Sequence, residues 1–153
     1  MIGRVFLIVL VVGAGLAVGA ALYVRSVAMD PARWHADPEA GERTGRPNDV
    51  LVAEGGDIPA PVLPGPPGEV AARLDAIALA DPGTERIAGS VEEGWMTYVQ
   101  RSALMGYPDA ISVKVTPEGE GSRVSIWSRS RFGYRDFGVN RERVERWLRA
   151  LRV

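Results

Sequence analysis

The sequence has no cysteine, and it has only one histidine, His35. Without cysteine there is no disulfide framework, no thiol nucleophile, no thiolate site for zinc or an iron–sulfur cluster, and no cysteine for a lipid anchor. A histidine metal cluster or a serine–histidine–aspartate triad would depend on a single residue in a proline-flanked segment. The sequence therefore predicts no catalytic residue, no metal site and no cofactor, and an unrecognised hydrolase is the least favoured function.

An excess of charge of either sign is also missing. Eighteen lysines and arginines face nineteen acidic residues, which gives a net charge of −1. No general basic field is present to attract a nucleic acid, so none is predicted as a partner. Arginines are nevertheless concentrated in one stretch, "SRSRFGYRDFGVNRERVERWL", residues 128–148. Any anion site must therefore be local.

The longest apolar run is "VFLIVLVVGAGLAVGAALYV", residues 5–24, which lies between Arg4 and Arg25. As a helix it would be about 30 Å long, enough to cross the hydrocarbon core of a bilayer. We expect a transmembrane anchor preceded by a short head, residues 1–4. The alternative is a cleaved signal peptide, since the small residues of "VGA" at 18–20 fit a cleavage site.

The charges that flank this run are nearly balanced, so they say little about its orientation. A four-residue head usually stays inside, which favours a single-pass protein of a bacterial inner membrane with its C-terminal domain in the periplasm. The membrane itself is thus an expected partner. Gly15 and Gly19 form a small-xxx-small pair that would let two such helices approach closely, as a weak dimer.

Residues 25–67 are rich in proline, and eight of the eleven prolines lie between positions 30 and 68. Such a segment favours extended polyproline geometry and predicts a connector or surface strap. Within it, residues 48–53, "NDVLVA", have the composition of an edge strand. Trp34 follows the apolar run closely, where an aromatic residue at the level of the lipid head groups is common.

The folded domain is predicted over residues 68–153. Helical spacing of apolar residues predicts a helix over 68–80 that "ADPG" terminates, and a second amphipathic helix, capped by Asn140, closes the chain. Between them, β-branched and aromatic residues alternate in polarity over three clear strands and one weaker strand. These strands are 84–90, 95–103, 110–116 and 123–131. We therefore expect an α+β fold with a small antiparallel sheet of about four strands and both helices on one face.

The last strand has two different faces. Val124 and Ile126 are expected to point toward the helices, with small polar residues following on the same face. Trp127, Arg129 and Arg131 would then lie on the open face, joined by Lys114 from the neighbouring strand. That face would be basic with one aromatic residue.

Two interpretations of these arginines remain open. In the first, Arg131, Asp136 and Arg141 form a polar clasp around the turn that contains Gly133 and Gly138. In the second, Arg129 and Arg131 bind a phosphate head group or a carboxylate together with Arg141 and the helix N-terminus near Asn140. The remaining charges of the last helix are expected to form a solvated face: Glu142, Arg143, Glu145, Arg146 and Arg149.

The stretches "YVQRSALMGYPDAISVKV" and "SIWSRSRFGYRDFGVNRERVERWLRAL" resemble domain-of-unknown-function family 1499 over about residues 63–153. The matching motif residues are Ser128, Arg129, Ser130, Arg131, Gly133, Asp136, Gly138, Asn140, Arg141 and Arg143. The resemblance implies an envelope or plastid-lumen protein without an established activity. Many members have a cysteine after Pro-Asn, but Asp49 stands here, so a redox or metal role resting on that cysteine does not carry over.

Taken together, these features predict a membrane-tethered envelope domain. Its most favoured function is that of a non-catalytic interaction module with a protein partner in the envelope. The alternative is a binder of a small anionic ligand or lipid head group through the arginine-lined face.

Overall fold

The computed structural model describes residues 2–43 and 45–153. It begins with helix α1, Ile2–Ser26, in which no residue is buried. Within the described residues this is the one helix long and apolar enough to cross a membrane. Its 25 residues correspond to about 37 Å, which exceeds a hydrocarbon core of about 30 Å.

The rest of the chain forms a six-stranded antiparallel sheet with helices. The elements are α2 (Pro31–Trp34), β1 (Asp49–Val52), β2 (Val62–Pro64), α3 (Pro67–Ala80), β3 (Thr84–Ser90), β4 (Trp95–Arg101), β5 (Pro108–Glu118), β6 (Gly121–Ser130) and α4 (Val139–Leu151). The strand order is β1-β6-β5-β4-β3, and β2 pairs with β6 beside β1.

The α+β class and the antiparallel sheet are confirmed, but the sheet has six strands rather than four. Both additional strands come from the proline-rich segment. Strand β1 pairs Asp49 with Arg129, and β2 pairs Val62 with Arg123. A domain that began at residue 68 would lack both of them, although they form one edge of the sheet.

Helices α3 and α4 cover one face of the sheet. The core between them includes Leu74, Trp147 and Leu148 from the helices and Val124 and Ile126 from β6. These positions follow the helical and strand periodicities of the sequence. Trp147 packs edge-to-face on Tyr98 with ring centroids 5.8 Å apart, and its indole N–H donates to Asp81 (2.8 Å).

The opposite face is covered by the chain that follows α1, residues 27–43, which we call the strap. His35 stacks on Trp95 with ring centroids 4.0 Å apart, and Asp37 pairs with Lys114 at 2.5 Å. A Cβ at Gly41 would overlap the ring of Trp127, so only glycine fits there. The sheet thus has a helical layer on one side and the strap on the other.

Candidate functional site

The buried polar centre of the domain is Arg143, which is only 3% exposed. Its guanidinium donates to Asp109 Oδ2 (2.8 Å), Ser128 Oγ (2.9 Å) and Asn140 Oδ1 (2.7 Å), and also to Gln100. The expectation that Arg143 belongs to the solvated helix face is therefore wrong. Arg143 provides hydrogen-bond donors for the polar side chains at one end of the sheet face on which α4 packs. Arg141, Arg146 and Arg149, by contrast, are exposed.

Asn140 is fully buried beside Arg143. Its side-chain amide donates to Asn48 O (3.1 Å), Ser130 Oγ (3.0 Å) and Asp136 Oδ2 (2.8 Å). The residue at the helix cap is Gly138, with a φ of 87°, so the predicted cap at Asn140 is wrong by two positions. Asn140 instead ties the start of α4 to the loop that precedes β1.

The predicted clasp of Arg131, Asp136 and Arg141 does not form as an ion-pair cluster. Arg131 donates to the carbonyl of Ala28 in the strap at 2.5 Å, and Arg141 faces Glu145 at 3.5 Å. Asp136 accepts instead from the backbone N–H groups at the start of α4, including that of Asn140 (2.8 Å).

The pKa of Asp136 lies below its ordinary value. Partial burial raises it, but the backbone hydrogen bonds from Asn140 and Gly138 and the side-chain hydrogen bond from Asn140 outweigh that effect. A hydrogen-bonded carboxylate at a helix N-terminus is thus held in its charged form. Gly133 and Gly138, with φ of 82° and 87°, make the turn that brings Asp136 there.

Arg129 lies under the strap and is only 7% exposed. Its guanidinium is 4.1 Å from the ring centroid of Trp127 and 5.5 Å from that of Trp34. It donates to Trp34 O (2.6 Å), Trp127 O (3.2 Å) and Ser112 Oγ (3.2 Å), all of which are neutral acceptors. Among the described residues no carboxylate forms an ion pair with it.

Burial lowers the pKa of Arg129 to about 10, and the negative charge of Asp49 partly opposes that shift. The guanidinium is therefore still charged at neutral pH. A buried cation held only by aromatic faces and neutral oxygens leaves part of its charge uncompensated.

A cleft of about 410 Å³ opens between Arg129, the strap and the start of β1. Charged side chains dominate its lining, with four arginines and two carboxylates: Arg33, Arg46, Arg129, Arg131, Glu42 and Asp49. Asp49 is already paired with Arg43 at 2.5 Å. Trp34 also lines the cleft, and its indole N–H is buried with no acceptor among residues 2–43 and 45–153. The cleft therefore presents positive charge.

The structure brings together two of the four predicted anion ligands. Arg129 and Arg131 both line the cleft, whereas Asn140 lies in the buried network on the other face of the sheet and Arg141 is exposed on α4. Sequence reasoning missed Arg33 and Asp49, which line the same cleft. Asp49 accepts a hydrogen bond from the indole N–H of Trp127 (3.2 Å). The signal in the sequence that could have pointed to Asp49 was its position directly after Pro-Asn.

Two other groups of polar residues offer no open site. His35 Nδ1 lies 2.9 Å from Thr97 Oγ1, which donates to Ser112 Oγ (3.1 Å), but both hydroxyl residues are fully buried beneath the strap. A larger hollow of about 530 Å³ lies near the β5–β6 hairpin. There Arg123 pairs with Glu118 and Glu54, and the third carboxylate, Glu39, accepts a hydrogen bond from Ser125, so its charged side chains already have partners.

Comparison with known proteins agrees with the motifs in β6 and α4. The chain is similar to TTHA0849 from Thermus thermophilus, known from a crystal structure, with 17% identity over 68% of this chain and 94% of that chain and a TM-score of 0.38. No curated protein matches it. Residues 41–151, which include all six strands, α3 and α4, match the family described as Protein of unknown function (DUF1499). The chain belongs to this family.

Proposed function

We propose that this protein is a non-catalytic binding module tethered to the bacterial inner membrane, with its domain in the periplasm and an anionic group as its ligand. The ligand is a phosphate or carboxylate that enters the cleft lined by Arg33, Arg46, Arg129 and Arg131. Arg129 carries the proposal, because it is a buried guanidinium that forms no ion pair with a carboxylate among the described residues.

The chemistry of the cleft supports an anion rather than a neutral ligand. Arginine presents a planar fork of donors that matches the oxygens of phosphate and carboxylate groups. An anion beside Arg129 would gain Coulomb energy in a partly dehydrated site, where such an interaction is stronger than in water.

Helix α1 supports the membrane location. None of its 25 residues is buried, so in water the helix would expose a large apolar surface at a high cost in free energy. A bilayer would remove that cost. Arg131, at the rim of the cleft, donates to Ala28, two residues beyond the end of α1. The cleft would therefore open close to the lipid head groups.

The first experiment tests the cleft. The full chain, in nanodiscs of zwitterionic lipid, is melted in chloride and in phosphate at matched ionic strength, since screening alone mimics weak binding. Phosphate is expected to raise the melting temperature of the wild type. At a phosphate concentration of 100 times the Kd, the free energy of unfolding should increase by about 2.7 kcal/mol. The double variant Arg33→Gln, Arg131→Gln should lose this gain, because two cationic ligands are removed from the rim.

A matched control removes two arginines elsewhere. The double variant Arg141→Gln, Arg149→Gln has the same net charge but changes exposed residues of α4, so it should keep the full gain. A further arm replaces phosphate with phosphatidylglycerol in the disc and separates a lipid head group from a free anion. Equal gains in all three proteins would refute the cleft as the ligand site.

The second experiment tests the tether. The full chain should stay in the membrane fraction after a carbonate wash, and Tyr23 should be retained in the mature protein. A reporter that is active only outside the cytoplasm should be active when it is fused after Val153. A soluble mature form beginning near Ala21 would establish a cleaved signal peptide, and a silent reporter would place the domain in the cytoplasm.

A further inference from the structure

The end of the domain next to α1 carries a group of exposed apolar side chains. Strand β4 ends at Arg101 and β5 begins at Pro108, while β6 ends at Ser130 beside Asp109. Because these strands are antiparallel, the segments 102–107 and 131–138 lie at the same end of the sheet. We call these two segments the docking loops.

The docking loops expose apolar and aromatic side chains at a level unusual for a soluble surface. Leu104 is 80% exposed and Phe137 is 94% exposed. Three further exposed residues in these loops are Met105, Tyr107 and Tyr134. Phe137 also has a φ of 56°, a left-handed conformation that is rare for an aromatic residue and costs free energy. A folded domain gains nothing from this arrangement in water, so these residues point to a partner.

The two docking loops contact the last turn of α1. Arg25 donates to the carbonyl of Leu104 and packs closely against Gly106. Tyr23 meets Phe132 edge-to-face with ring centroids 6.3 Å apart, and Phe132 meets Tyr107 at 6.2 Å. The exposed apolar residues thus continue the apolar surface of α1 at the depth where the helix leaves the bilayer.

Arg101 fixes this arrangement from the sheet side. Its guanidinium donates to Val27 O (2.8 Å) and Val24 O (3.3 Å), which holds the end of α1 against the end of β4. The helix and the docking loops therefore keep a defined position relative to each other. Trp34, expected at the head-group level, is a strap residue whose side chain is instead buried against the sheet, so the interfacial aromatic residues come from the docking loops.

From this geometry we propose that the docking loops form a second membrane contact, with Leu104, Met105 and Phe137 in the interface and Tyr107 and Tyr134 at the head groups. The occupant of this surface is the lipid bilayer in which α1 lies. Aromatic residues with a polar tip favour that depth, and apolar side chains gain by leaving water. This inference rests on the proposed membrane tether.

The absence of cysteine makes a direct test possible, since one introduced cysteine carries the only label. Four variants of the full chain in vesicles carry an environment-sensitive fluorophore: Leu104→Cys, Phe137→Cys, Gly13→Cys and Glu120→Cys. Residues 104 and 137 probe the docking loops, residue 13 probes α1, and residue 120 probes the exposed hairpin at the opposite end of the sheet. The quenchers are aqueous iodide and lipids with a nitroxide near the head group or deep in the chain.

We expect the nitroxide near the head group to quench the labels at 104 and 137. Iodide should quench these two labels several-fold less than it quenches the label at 120. Lipid quenching at 13 together with full iodide access at 104 and 137 would overturn the docking surface and leave the tether intact. Full iodide access at all four positions would overturn both. Protection from iodide without quenching by lipid would mean that a protein covers the loops, which overturns the bilayer as their occupant.

Discussion

Replacing Arg143 with methionine is expected to lower the free energy of unfolding by about 3–5 kcal/mol, because it leaves the charge of Asp109 without its partner. The distance from Arg143 Nη2 to Asp109 Oδ2 is 2.8 Å, and both side chains are almost entirely buried. Methionine fills a similar volume, so the loss reports the polar contacts rather than a cavity. Urea unfolding in detergent measures it by fluorescence, since all four tryptophans lie outside α1.

Arg141→Met is the matched control. The same substitution two residues earlier in α4 removes an exposed arginine that faces Glu145 at 3.5 Å, and it should change stability by less than about 0.5 kcal/mol. Adding Asp109→Asn to Arg143→Met should restore part of the loss by removing the unpaired charge. Equal unfolding curves for the two methionine variants would contradict the buried network.

Replacing Trp34 with alanine should destabilise the domain by about 3 kcal/mol or more, the range found when a buried tryptophan is truncated. Trp34 is 9% exposed and packs with Met29, Val99 and Ala110 in a second core cluster on the strap side of the sheet. Its ring also covers Arg129. The substitution would open this cluster to water and leave Arg129 with one aromatic face, and the same urea titration measures the loss.

This prediction distinguishes a structural strap from a loose connector. Leu79→Ala provides the comparison, because Leu79 is 46% exposed on α3 and its truncation removes little buried area. If Trp34→Ala were no more destabilising than Leu79→Ala, the strap would be a connector that merely lies near the sheet. The buried position of Arg129 would then have to depend on Trp127 alone.

The elements with strong local periodicity could be predicted from the sequence. The first helix of the domain was expected at 68–80 and the structure has Pro67–Ala80, while the strand expected at 123–131 is Gly121–Ser130. These segments carry their own patterns, since apolar side chains recur at the spacing of the element that buries them. In the proline-rich segment, the edge strand expected at 48–53 is β1, Asp49–Val52, whereas β2 was not predicted because it has only three residues.

The role of each arginine was harder to predict. Arg143 lies three residues after Asn140 and four before Trp147, so it falls on the buried stripe of α4, but its charge favoured an exposed position. Its partner Asp109 is distant in sequence. The positions of Arg129 and Arg131 against the strap could not be predicted for another reason, because both bind it through the backbone carbonyls of Trp34 and Ala28. Every residue has a carbonyl, so such contacts leave no trace in the sequence.

The strap also has a consequence for the order in which the chain folds. Its hydrogen bonds to the ends of β4 and β6 join residues that are 74 to 103 positions apart, and the strap is synthesised long before β6. Contacts of such long range form late, because the chain between the two partners must first be ordered. If the domain is exported as we propose, the strap lacks its partners Arg129 and Arg131 until β6 has crossed the membrane. The domain would then close onto a stretch of chain that the proposed anchor already holds at the lipid surface.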